Sequence, residues 1–99
     1  MEEELTTVQG LLEGAGISTE SRQAALWCIQ QLPGLYRQLA STYDGRHEDE
    51  ICRLAGAALL KVTGSPVEKA VREHLVGLHR RLGFGDLHLH PTRRSRKEG

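Results

Sequence analysis

Several things this chain lacks narrow its reading before any pattern is found. It holds two cysteines, Cys28 and Cys52, both inside segments with helical periodicity, and no stretch with the basic start, apolar run and small-residue cleavage site of a secretory leader. A reduced, intracellular protein, cytoplasmic or nuclear, is therefore expected rather than a disulfide scaffold. No apolar run approaches the roughly 18 residues needed to cross a bilayer, which excludes a membrane-embedded role. Catalytic signatures are missing as well. There is no G-x-S-x-G, no phosphate-cradling glycine loop and no dinucleotide fingerprint, and the short GFGD at Gly83 to Asp86 follows a helical pattern rather than a strand. The reading is accordingly non-enzymatic, with no cofactor.

Basic residues are absent from residues 1–20, which carry Glu2, Glu3, Glu4, Glu13 and Glu20, whereas the end of the chain holds Arg93, Arg94, Arg96 and Lys97 within five positions. The zero net charge thus conceals an acid-to-base gradient along the chain. Aromatic residues are scarce too, at one Trp, two Tyr and one Phe, and none lies in the basic end. That leaves the end no group to stack on nucleic-acid bases.

What is present is a well-punctuated helical domain. Ninety-nine residues make one domain able to bury roughly two-thirds of its unfolded surface. Leu5, Val8, Leu11 and Leu12 share one helical stripe behind three glutamates that suit a helix N-terminus. Ser18 or Thr19 is placed to cap a second helix, carrying Ala25, Ile29 and Leu32. Pro33 and Gly34 interrupt it, yet the stripe resumes in phase at Leu35, Tyr36, Leu39, Ala40 and Tyr43, which predicts either one kinked helix or two meeting at a corner. A third stripe, Ile51, Leu54, Ala55, Ala58, Leu59 and Val62, follows the acids of HEDE and includes small residues suited to close helix approach. Ser65, Pro66 and Glu68 spell a capping box for a last helix with Val67, Ala70, Val71, His74, Leu75, Leu78 and Leu82 on its inner face, and Gly83 ends it.

The expected fold is all-α: a compact four- or five-helix bundle with helices near 3–14, 19–32, 34–43, 47–63 and 66–82, a short extended segment 86–90, and Phe84 and Leu87 folded over one end of the core. Residues 1–90 form the domain, and 91–99 a mobile basic tail without an apolar anchor.

His88 and His90 share one side of an extended segment, but zinc needs three or four ligands and the others are not in sight, so no metal site is assigned. His74 is in phase with the core face of the last helix and reads as a core-edge histidine; the acids of HEDE read as a helix start. The cysteines read as small buried apolar groups rather than nucleophiles.

Two stretches resemble known families. HEDEICRLAGAALLKV, His47 to Val62, resembles the final helix of the elongation-factor-type N-terminal bundle, a peptide-binding domain of transcription regulators. LVGLHRRLGFGDLHLHP, Leu75 to Pro91, resembles the end of PUB domains, modules of ubiquitin-pathway proteins that bind the tail of a AAA ATPase. Each likeness covers well under half of the chain, and neither assigns a binding residue.

What is left is surface. Trp27, Tyr36 and Tyr43 lie on one helical segment or its continuation, and aromatics are enriched where proteins grip one another. The expected function is an adaptor or scaffold module that holds a helix or peptide of a partner protein in a groove between helices, with Trp27, Tyr36, Tyr43, Arg80 and Arg81 as candidate contacts. The competing expectation is association with nucleic acid or another polyanion through Arg93, Arg94, Arg96 and Lys97, which would also serve as an import signal. Oligomeric state is left open.

Overall fold

In a computed structural model, which describes residues 2–42 and 45–87, the chain forms four helices and, among those residues, no strand: α1 (Glu2–Glu13), α2 (Thr19–Thr42), α3 (Gly45–Lys61) and α4 (Glu68–Arg81). No helix among them is long and apolar enough to cross a membrane. The all-α bundle expected from periodicity is the fold, in its four-helix form. Pro33 neither ends nor divides α2, which runs through it. The missing Pro33 N–H removes one intrahelical bond, to the Ile29 carbonyl. Ala25, Cys28, Ile29, Leu32, Tyr36 and Leu39 hold the helix in register by burying one continuous stripe on both sides of that gap.

That stripe packs mainly against α3, where Ile51, Leu54, Ala55, Ala58 and Leu59 are buried, while α1 closes the bundle against α2 and α4 through Leu5, Val8 and Leu12. The α2–α3 pairing is the most extensive in the molecule and the α3–α4 pairing the thinnest. Ala55, Gly56 and Ala58 put almost no side chain on the buried face of α3, which suits close helix packing. Apart from Gly56, these residues belong to one core with Val62, Val71, Leu75, Leu78 and Leu87. Leu87 is buried and Phe84 half-buried at one end of it, as expected; the rest of the predicted extended segment, His88 to His90, and the tail from Pro91 lie outside the described residues.

The helix ends follow the sequence in part. Ser18 caps α2, its Oγ accepting from the Ser21 N–H at 3.1 Å. The capping box expected at Ser65 does not form. Residues Ser65 to Val67 make a turn, α4 begins at Glu68, and the Glu68 carboxylate accepts from the Gly64 N–H at 2.9 Å rather than from Ser65. Starting the helix later carries the glutamate past its box position, and among the described residues the Ser65 hydroxyl has no partner. At the other end α4 closes in a Schellman motif. Gly83, at φ +91°, donates to the Arg80 carbonyl and Phe84 donates to the His79 carbonyl. A side chain is strained at that φ, and the turn folds the Phe84 ring back onto His79.

Candidate functional site

Two places on α2 stand out, on different faces of the helix. The first is a buried polar corner. Tyr36 Oη lies 2.8 Å from His79 Nδ1, and Glu48 Oε2 of α3 lies 3.6 Å from the other ring nitrogen, Nε2. With its Nε2 side turned to a carboxylate, the imidazole is placed to carry its proton there and to accept the Tyr36 O–H at Nδ1. The rings of Tyr36 and Phe84 stack at 5.9 Å, and His79 sits 5.7 Å from both. The carboxylate–imidazole–hydroxyl order looks superficially like a proton relay. Yet His79 is fully buried and Tyr36 is 3% exposed. Burial, reinforced by Cys52 and Glu48 nearby, holds the Tyr36 phenol well above its ordinary pKa. A hydroxyl kept neutral and away from solvent is a clamp joining α2, α3 and α4 rather than a nucleophile.

His74 takes the core-edge place expected of it, and the fully buried histidine is His79, which the sequence pattern does not single out. His79 is in phase with Val71, Leu75 and Leu78, while His74 lies at the rim with its Nδ1 3.3 Å from Glu4 Oε2. Glu4 also pairs with Arg81 at 2.7 Å, so one carboxylate joins α1 to two residues of α4. Its carboxyl is lowered below the usual carboxylate range, first by the hydrogen bond with His74 and then by the Arg81 charge.

The second place is a groove of about 260 Å³ on the outer side of the α2–α3 pair, lined by Trp27, Gln31, Gly34, Leu35 and Gln38 of α2 and by Glu50 and Leu54 of α3. The α2 members recur at helical spacing and make one continuous edge. Trp27 is 58% exposed at one end of it, so the largest apolar side chain in the protein contributes little to the core. Gly34 forms part of the floor. A Cβ built there meets nothing within 4 Å, and its φ is ordinary for a helix. Neither backbone conformation nor packing within the chain calls for glycine at this position, although glycine costs a helix about 1 kcal/mol relative to alanine.

Between Arg22 and Asp44 the sequence carries a single charged residue, Arg37. Arg37 is turned away from the groove; it lines a smaller, mostly apolar concavity of about 170 Å³ with Tyr36, Ala40, Leu82 and Phe84. On the α3 side, Glu50 is paired with Arg53. The groove therefore has no uncompensated charge, and charge depletion around an exposed aromatic is the composition of an interface core.

The other predicted site residues fall elsewhere. Tyr36 is held in the buried corner, 3% exposed, and borders the smaller concavity rather than the groove. Tyr43, Arg93, Arg94, Arg96 and Lys97 lie outside the described residues, as do His88 and His90. Arg80 is exposed and pairs with Asp86 at 2.8 Å, and Arg81 with Glu4, so neither belongs to the groove. Among the described residues no cluster of three or more His, Cys, Asp or Glu could hold a metal. Cys28 is buried, and loss of solvent pushes its thiol pKa up, with Lys61 and Arg53 partly opposing the shift. That disfavours the thiolate. Sequence reasoning passed over Gly34 and the uncharged run around it, although the run is legible as a gap in the charges.

No known protein family, curated protein or solved structure matches the chain.

Proposed function

We propose that this protein is a non-enzymatic helical interaction module, an adaptor or scaffold element, whose contact surface is the groove between α2 and α3 and whose occupant is a helix or extended peptide of a protein partner. The observation that carries this reading is the pairing of an exposed Trp27 with a glycine floor at Gly34 on an uncharged helix face. A tryptophan left in water forfeits the burial free energy of a large apolar side chain, on the order of 2 kcal/mol, and an occupant would recover it. Interhelical grooves with an aromatic wall accept amphipathic segments in this way.

The polyanion reading draws less support. Of its basic residues on the helices, Arg80 and Arg81 are already paired with acids, and the groove carries no positive field. A salt titration against generic RNA separates the two: no binding at low salt eliminates the polyanion reading, whereas steeply salt-dependent binding establishes it.

The groove is tested by affinity capture with the intact chain, with Trp27→Ala and with Gly34→Leu. The expected result is that proteins retained by the natural chain are lost from both variants while both keep its helical circular dichroism. Identical capture by all three removes the groove from the function.

A further inference from the structure

We infer that the occupant of this groove is a second copy of the chain, docked across a two-fold axis that crosses α2 near Gln30 and Gln31, so that Trp27 of each copy seats over Gly34 of the other. The inference rests on the reading of the groove as the contact surface and adds the identity of what fills it.

The first ground is register. Trp27 and Gly34 both line the groove, and seven residues of helix place them about 10 Å apart along the axis and within about 20° of the same direction. A projecting side chain and a gap on one face of one helix are exchanged by a two-fold rotation about a line midway between them. This is the self-complementary relation that a symmetric dimer requires, in which residue i meets j and j meets i.

The second ground is the glycine. Open space over its Cβ position and an ordinary helical φ leave Gly34 without a role in the isolated chain. An indole laid flat on that stretch of backbone supplies one, because any side chain there would lift it off.

The third ground is charge. A surface of one sign repels its own copy, and a partner of different sequence is free to be matched by opposite charge. The groove does neither. Its α2 edge is uncharged, Glu50 on the α3 edge is neutralised by Arg53, and Arg37 points into the other concavity. Near the axis stand glutamines, whose amides both donate and accept and so can meet their own copies. Gln31 Nε2 donates to the Trp27 carbonyl at 3.2 Å, leaving its oxygen to accept a donor across the axis.

Size sets the strength. The edge from Trp27 to Gln38 is about 17 Å long and one helix wide, well short of the roughly 800 Å² per partner of a standard complex. The dimer is therefore weak and in exchange with monomer at moderate concentration.

Sedimentation equilibrium on the full chain, from roughly 10 µM to roughly 1 mM, covers the range in which so small an interface equilibrates. The expected result is a monomer–dimer equilibrium that is weakened at least about tenfold, the loss of about 1.4 kcal/mol, by Trp27→Ala and by Gly34→Leu alike, with Arg37→Ala leaving it unchanged. Helical circular dichroism of each variant confirms that it is folded. A chain that stays monomeric throughout overturns the dimer, while the capture comparison still decides the groove on its own. A dimer indifferent to both groove substitutions overturns it equally, since association then uses another face.

Discussion

The two aromatic positions described on α2 have opposite fates. Tyr36 is enclosed, with its ring stacked on Phe84 and its hydroxyl on His79. Trp27, nine residues earlier, leaves more than half of its surface in water beside a glycine that nothing in the chain needs. One face of the helix is spent on stability and the other is held back from it. The difference separates residues whose loss unfolds the protein from residues whose loss leaves it folded but without its contact.

That contrast can be broken at the corner first. Tyr36→Ala is expected to cost about 3–5 kcal/mol, the range for removing a large buried ring, and chemical denaturation measures it. Tyr36→Phe isolates the hydroxyl. It keeps the stack but strands the buried His79 Nδ1, at about 1–3 kcal/mol. The same variant has a pH signature. Because the folded chain holds this phenol neutral where the unfolded chain ionises it, the Tyr36 contribution is complete below about pH 10 and is lost as pH rises above that value. Unfolding on alkaline titration should therefore move to higher pH in Tyr36→Phe than in the natural chain, measured relative to each protein's own stability at neutral pH.

On the groove side the expected signs change. Gly34→Ala should stabilise the protein by about 0.5–1 kcal/mol, since alanine fits the helix and meets no neighbour, while weakening whatever docks there. Trp27→Ala should alter stability by no more than about 0.5 kcal/mol. A large loss in thermal unfolding would show that the tryptophan belongs to the core after all.

The smallest effect lies between α1 and α4. The Glu4 carboxyl is lowered in the folded state, so its contribution is present above the ordinary carboxylate range near pH 4 and is lost as pH falls through the folded value. Glu4→Gln should flatten the acid limb of the stability profile at constant ionic strength. Glu4 is solvent-accessible, so the change is expected to be slight.

Most of the fold could be read from the sequence because its signals were local. Apolar spacing placed all four helices, and Ser18 and Gly83 marked two of their ends. The rest depended mostly on distant residues. Pro33 left one helix or two open, and the Ile29–Leu39 stripe buried against α3 decides for one. One failure is local: Ser65-Pro66-Val67-Glu68 spells a cap, but the helix starts two residues later and Glu68 turns to Gly64. His74 and His79 both sit near the inner face of α4, and only the arrival of Tyr36 and Glu48 from other helices decides which is buried. As for the groove, Trp27 was legible as lying off the core direction. Gly34 was not, because a glycine beside a proline resembles punctuation until the space above it is seen.

Trp27 is the single tryptophan of the chain, so its emission reports on the groove without labelling. As chain concentration is raised, the emission is expected to move to shorter wavelength while the natural groove fills, and Gly34→Leu, with unchanged helical content, is expected to show no such movement. Emission that stays at the same wavelength in both proteins, with or without an added partner, would contradict the claim that this face exists to be covered.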